Sequence, residues 1–552
     1  MKKILIINLR RLGDVFSTAH LINSLTASGE NHVSLLTYKE SSKASSILKN
    51  VSQNFEIDRK ELITLKTNKL FSDGFAFEQL FSQLSVIKAQ EWDQIINYSN
   101  DSVGAYLASY LQDSAREVIG VHYDNNRNIV TQSDWQLMFN DVLPVVRFAP
   151  IHFVDCYHKM MGTTLVKEGM KLNTDPSYNE SAFNNINAVR KAHGDVTQSK
   201  IIGIQLKTAD TAKDIPENTL HELISMIKKN EELIPFLLIA PTDDERRMAE
   251  NFNNAHDNEL VVVEADLQAM ASVLMNIDLL ITPDTAVKHL ADLTETPVLE
   301  ISLGHAPFLK QGTYSKDSLV LTDVLSSREF TKGDSAQGTS ITAADIMAST
   351  LYSLTQTKTI KPRLSSGVTL YQATFDQIGI RYTPVAGTIH TPIEIHRLMS
   401  RQLINTMFEQ GPDALIYKDV CNLDLSMATE WSNEEKASVT NVMKDLLGTL
   451  RSLLQCAESR KSSRDFVNNL GKLITHVDGH SLVQIPVAIF KTKIESINAK
   501  TFEENIKEVE LLLYDLKADM QKILSCLKDL EAQINASKME EMVSKNLESI
   551  KL

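Results

Sequence analysis

The first twenty residues, MKKILIINLRRLGDVFSTAH (1–20), decide the fold. Residues 2–9 (KKILIINL) carry an apolar run from Ile4 to Leu9 broken only by Asn8, the pattern of a parallel strand covered on both faces. Beyond Asp14 the apolar spacing becomes helical, at Val15, Ala19, Leu21, Ile22 and Leu25. A strand, then Arg10-Arg11-Leu12-Gly13-Asp14, then a helix predicts Gly13 in the turn and Asp14 at the helix N-terminus. Two readings of Asp14 follow. It caps free helix amides and complements the helix dipole. Alternatively, it is a carboxylate at the C-terminal edge of a parallel sheet, where such folds take ligands, and it accepts a proton from a hydroxyl. A helix N-terminus favours the ionised carboxylate and lowers its basicity, so the second reading needs a buried site to offset that.

Working outward, HVSLLTY (32–38), WDQIINYS (92–99) and EVIGVH (117–122) read as further strands between helical stretches. The polar, turn-rich stretch 167–199 predicts a linker. A second alternating unit follows, with strands at 201–206, 234–241, 259–265, 278–282 and 297–304, and helices around 217–229 and from about 243 and 285. The expected fold class is α/β, two Rossmann-like doubly wound domains at 1–175 and 195–356. A mainly helical extension is expected at 357–552, with GVTLYQATFDQIGIRYTPV (367–385) as one or two strands at a domain edge.

Within that extension Ser432-Asn433-Glu434-Glu435 has capping-box spacing. Phe502, Ile506, Val509, Leu513, Leu516, Met520, Ile523, Leu527, Leu530 and Ile534 alternate at four and three residues, with Cys526 just off the stripe. Such a heptad predicts either a self-association seam, hence a homo-oligomer, or a helix packed on its own domain.

A net charge of −14 over 552 residues argues against nucleic-acid binding, which needs a basic face. Cys156, Cys421, Cys456 and Cys526 are far apart, which argues against a zinc ribbon or disulfide scaffold and for a reducing cytoplasm. The N-terminal apolar run is too short for a secretory core, and no run approaches the roughly 18 apolar residues of a membrane span. The expected location is cytoplasmic, with any membrane contact peripheral. No G-x-G-x-x-G follows the first strand, which removes a Rossmann dehydrogenase.

Three further constellations carry chemistry. In DLLITPDTAVKHLADL (278–293) a strand runs into Pro283-Asp284-Thr285 and a helix, so amides at 285–287 and the Thr285 hydroxyl offer an anion site, with His289 one turn on. The bland alternative is a capped helix with a half-buried histidine. In IQLKTADTAKDIP (204–216) Lys207 and Lys213 follow a strand end, where they would neutralise phosphate. In PTDDERR (241–247) a carboxylate after another strand either accepts ribose hydroxyls or starts a helix.

Taken in order, ILIINLRRLGDVFSTAHLINSL, WDQIINYSNDSVGAYLASYL, VIGVH, RFAPIHFVDCYHKMMG, GIQLKTADTAKDIPENTLHEL, LLIAPTDDERRMA and LLITPDTAVKHLADLTETPVLEISLGHAP resemble glycosyltransferase family 9, the bacterial heptosyltransferases acting on the lipopolysaccharide inner core. The resemblance covers about residues 1–355. It implies a GT-B architecture and an inverting, metal-independent transfer of a heptose or related sugar from ADP-heptose to a lipopolysaccharide-core-type glycan or glycolipid. No cofactor is implied beyond the ADP-sugar, which is the donor substrate. Asp14 stands at the catalytic-base position. Lys213 matches the phosphate-binding lysine, and Asp284, Thr285, Ala286, Val287 and His289 lie on the donor-binding D-T/S-G-x-x-H pattern. Asp243 or Asp244 matches the acidic ribose contact, Thr242 is expected to bind the donor, and Arg10, Arg11, Gly13 and Lys207 are expected to contact phosphate or acceptor. The family usually has glycine where this chain has Ala286, and the region from 357 lies outside the resemblance. The alternative is therefore a catalytically degenerate sugar-nucleotide binder that works as an assembly protein through its helical tail.

Overall fold

The computed structural model describes the chain except residues 69, 71–72, 131–132, 147, 167–168, 170, 195–198, 304–307, 324–338, 356–359, 409–410, 412, 460–462 and 551–552. Two compact units are present, Met1–Tyr123 with His152–Ile389, and Asp124–Ile151 with His390–Leu552.

The first unit holds two sheets. The N-terminal sheet has β1 (Lys2–Ile7), β2 (Asn31–Tyr38), β3 (Val51–Ile57), β4 (Trp92–Asn97) and β5 (Ala115–Ile119) in the order β3-β2-β1-β4-β5. All its pairings are parallel. Ile4 to Ile7 are buried on both faces, as a central parallel strand requires. The chain leaves β1 between β2 and β4, where the strand order reverses, and doubly wound folds bind ligands at that switch point.

Two short strands follow β5, β6 (His122–Tyr123) and β7 (Ile129–Val130). The second sheet of the first unit comprises β8 (Lys200–Gln205), β9 (Leu233–Ile239), β10 (Val261–Glu264), β11 (Leu279–Thr282), β12 (Val298–Ser302), β13 (Leu319–Thr322), β14 (Thr369–Phe375) and β15 (Ile380–Gly387), ordered β10-β9-β8-β11-β12-β13-β14-β15. It is parallel through β13 and antiparallel from β13 to β15. The switch point here lies between β8 and β11. The pair of doubly wound lobes is the GT-B architecture.

Three boundaries differ from expectation. The edge strands foreseen at 367–385 are β14 and β15, which extend the second sheet, so the helical region begins at His390 rather than 357. Asp155 accepts hydrogen bonds from the Ile380 amide (2.9 Å) and the Tyr314 hydroxyl (2.5 Å), fixing the hairpin at Gly379, whose φ of +148° and contact with Asp155 leave no room for a Cβ. The polar stretch 167–199 contains an 18-residue helix, Pro176–His193, with Asp175 as N-cap and Pro176 in its first turn. Residues 124–151, placed by sequence in the first domain, belong to the second unit.

That second unit is helical. The last helix, Phe502–Ile550, carries the heptad stripe, and Val509, Leu513, Leu516, Met520, Ile523, Leu527, Leu530 and Ile534 are all buried. They pack with Val439, Leu446 and Leu453 of the helix Leu425–Glu458 and with Leu403 of the helix Thr391–Phe408. Cys526 is buried with them, so the apolar face is wider than a two-stranded seam. The stripe packs into the unit's own core, the second of the two readings of the heptad. The capping box at Ser432 is corrected. Asp424 caps that helix, while Ser432 sits buried inside it. Glu435 instead accepts from the Ser481 hydroxyl and the Leu482 amide. Among the described residues no helix is long and apolar enough to cross a membrane.

Candidate functional site

The helix after β1 spans Leu12–Thr26, with Arg11 at the N-cap and no side chain capping it. Gly13 and Asp14 therefore lie inside its first turn, which corrects the turn expected at Gly13. Asn8, the one polar break in the β1 run, is wholly buried and donates to the Asp14 carbonyl (3.1 Å) and the Thr18 hydroxyl (2.7 Å). It ties strand end to helix start and thereby sets where Asp14 stands. Leu9 donates its amide to Ser99 Oγ (2.9 Å), anchoring the same loop to the end of β4.

Asp14 keeps 21% of its side-chain surface and has Arg10 Nε 3.7 Å from Oδ2. Arg10 also donates to Asn100, and Arg11 is exposed. Burial raises the Asp14 pKa above the ordinary carboxylate value, and the nearby negative charge of Asp284 adds to this. Arg10 and the Arg11 amide only partly oppose it. The helix N-terminus thus loses to desolvation, and the carboxyl is more basic than an exposed one.

The helix Ala286–Thr294 of the second lobe meets this turn. Its His289 places Nδ1 3.3 Å from Ser17 Oγ. A Cβ on Gly13 would lie 2.6 Å from His289 Cδ2, so glycine is required there to seat the imidazole, not to permit a positive φ. Burial, with help from Lys288, pushes the His289 pKa down to about 3 against the pull of Asp284, so the ring is neutral near pH 7.

Thr285 caps the same helix, accepting from the Lys288 amide (3.3 Å) and donating to Gln205 Oε1 at the end of β8 (2.6 Å). Its hydroxyl is engaged. The half-buried Ala286 and Val287 supply the first helix amides, which have no partner within the helix. Of the expected anion site the Thr285 hydroxyl is spent on Gln205, and the Ala286 methyl stands beside the amides.

Asp284 does not face open space. Its Oδ2 accepts from Lys213 Nζ (2.9 Å) and Gln311 Nε2 (3.1 Å), and its Oδ1 from Lys288 Nζ (2.6 Å). Burial works against ionisation, but the Lys288 and Lys213 ammonium groups override it and hold Asp284 well below the usual carboxylate range. Lys213 stands at the end of a short 3-10 turn capped by Asp210, its side chain only 9% exposed. Lys288 is wholly buried and also donates to Glu300 (3.1 Å).

The remaining expected residues have partners of their own. Thr242 caps the helix Asp243–Ala255. Asp243 is 90% exposed and paired with Arg246 (3.0 Å), and Asp244 pairs with Arg247. Arg246 also grips Glu264 at the end of β10 through two bonds of 2.7 Å. Lys207 is half-buried; burial raises the pKa of Glu245, and the Ala240 amide that its carboxylate accepts from and the Lys207 charge only partly oppose this. Asp14, His289, Asp284, Lys213 and the Ala286–Val287 turn come together, whereas Asp243 and Asp244 are exposed and paired with arginines. Sequence reasoning missed Lys288, Glu300, Gln311, Gln205 and Asn8. Only Asn8 carried a local signal, as a polar residue in an otherwise apolar strand. Among the described residues no group of three or more His, Cys, Asp or Glu is placed to hold a metal ion.

The family model described as glycosyltransferase family 9 (heptosyltransferase) matches residues 81–338. That span includes Lys213, Thr242, Asp243, Asp284 and His289, whereas Asp14 precedes it. No curated protein matches the sequence. Similar solved structures include a family 9 glycosyl transferase from Veillonella parvula DSM 2008, 16% identical, TM-score 0.46, covering 60% of this chain and 88% of that one. Another is ADP-heptose lps heptosyltransferase II of E. coli, 13% identical, TM-score 0.44, covering 64% and 98%. A third, E. coli heptosyltransferase WaaC with ADP, is 14% identical, TM-score 0.41, covering 57% and 91%.

Proposed function

We propose that this glycosyltransferase, whose residues 81–338 are a family 9 domain, transfers a heptose from ADP-heptose to a lipopolysaccharide-core-type acceptor with inversion and without a metal. One observation carries the reading. The carboxyl raised in pKa, Asp14, stands on one lobe at the point where the other lobe's lysine-bearing, helix-N-terminal site meets it.

In this reading Asp14 accepts the acceptor hydroxyl's proton as the new glycosidic bond forms at the anomeric carbon, and ADP leaves. Lys213 and the amides of Ala286 and Val287 face the negative charge that grows on the departing diphosphate. Neutral His289 offers a hydrogen bond and adds no charge. Arg10 keeps Asp14 oriented without pairing it tightly enough to quench its basicity. The cytoplasm, with peripheral contact at the inner membrane, is the setting such a donor and acceptor require.

The experiment supplies ADP-heptose and core oligosaccharide lacking its next heptose, and follows ADP release and acceptor mass. Stoichiometric ADP and a heptose mass increment are expected. Lys213→Ala should weaken ADP binding about tenfold or more by calorimetry. If the protein binds ADP-heptose yet transfers nothing to any core acceptor, the proposal is wrong and the chain is a binding protein.

A further inference from the structure

We propose that Lys288 is a positioning residue that sets how readily Lys213 leaves Asp284 for a bound diphosphate, an inference that rests on the diphosphate reading of the site.

Lys288 cannot itself touch a ligand. Its side chain is 0% exposed, and its three ammonium protons are matched by three acceptors, Asp284 Oδ1 at 2.6 Å, Glu300 Oε1 at 3.1 Å and the Gln311 carbonyl at 2.8 Å. Glu300, in the middle of β12, spends its other oxygen on the Thr313 amide at 2.7 Å. The four charges form a chain, Lys213–Asp284–Lys288–Glu300, two cations alternating with two anions.

Lys213 is the terminal link, and the others are fixed from within the lobe. When an anionic ligand draws Lys213 away, Asp284 keeps Lys288 on one oxygen and Gln311 on the other, so it stays neutralised and stationary. Without Lys288 the whole charge of a desolvated carboxylate falls on Lys213 and pins it. The strength of the Lys288–Asp284 bond is tuned in turn by Glu300, which competes for the same ammonium.

The test measures ADP affinity by calorimetry, with unfolding measured alongside. Lys288→Met/Glu300→Leu replaces the buried ion pair by apolar groups of similar volume, a change that folds tolerate. We expect its ADP affinity to fall about tenfold. Adding Asp284→Asn, which frees Lys213, should recover most of that loss. Glu300→Gln, which keeps the shape, should tighten ADP about threefold by giving Lys288 wholly to Asp284.

A folded double variant with native ADP affinity, a triple variant with no recovery, or a Glu300→Gln protein that does not bind ADP more tightly overturns the inference while leaving the diphosphate site standing. A native protein that does not bind ADP at all removes both.

Discussion

Two carboxylates, one from each lobe, show what environment does to the same side chain. Asp14 has one guanidinium at 3.7 Å, and burial pushes its pKa up. Asp284 has ammonium groups at 2.6 Å and 2.9 Å, and they drive its pKa down despite deeper burial. The first is suited to take a proton, the second to remain a fixed charge. Pairs of titratable groups pushed apart in this way mark acid–base assignments in enzyme sites. The proposed reaction divides the work between the lobes accordingly, with proton handling on the first and anion handling on the second.

The comparison breaks first under Asp284→Ala, which leaves Lys213 without its counter-ion and Lys288 with Glu300 as its remaining carboxylate partner. Denaturant unfolding should show a loss of about 3–5 kcal/mol. Asp14→Ala should cost under about 1 kcal/mol by the same measurement, because its only close cation is partly exposed. Equal losses would erase the distinction between the two carboxylates.

Gly13→Ala probes the point where the lobes meet. The added methyl collides with His289, and a loss of about 1–3 kcal/mol is expected from the melting curve. The double variant Gly13→Ala/His289→Ala should cost less than the sum of its parts. Additivity would mean that the contact is not the source.

A smaller effect tests the sign of the Asp14 shift. Because its folded-state pKa lies above the ordinary 3.8, the unfolded chain gives up the proton first as pH rises. Stability then falls across the interval between the two values and stays lower above it. Asp14→Asn escapes that loss, so it should melt higher than the native protein at pH 7. The gain should vanish near pH 3, where native Asp14 is protonated whether folded or not. A lower melting temperature at pH 7 would reverse the assignment.

What could be read from the sequence was local. The β1 run and the helix that follows it, the Asp284-to-His289 motif and the strand ends bearing Lys213 and Asp243 each announce themselves within about a dozen residues. Lys288 did not, because it looks like a polar helix residue until β12 brings Glu300 against it. β3, an edge strand with only Phe55 and Ile57 fully buried in a polar sequence, gave no apolar run to detect. The helix Pro176–His193 did announce itself, through Asp175-Pro176 at one end and Gly194 at the other, but its polar composition read as linker. The terminal heptad was found correctly, yet periodicity cannot say whether the partner helix is in the same chain. Asp243 and Asp244 follow the end of β9, and their pairing with the arginines three residues on is visible in the structure.

The central claim is that Asp14 takes the proton while the opposite lobe holds the diphosphate. Its most direct test is to measure ADP affinity and single-turnover heptose transfer side by side in the Asp14→Asn protein. The account predicts ADP binding within about twofold of native and transfer slower by roughly 10²–10⁴-fold, the usual contribution of a general base. Native transfer rates in that variant would contradict it.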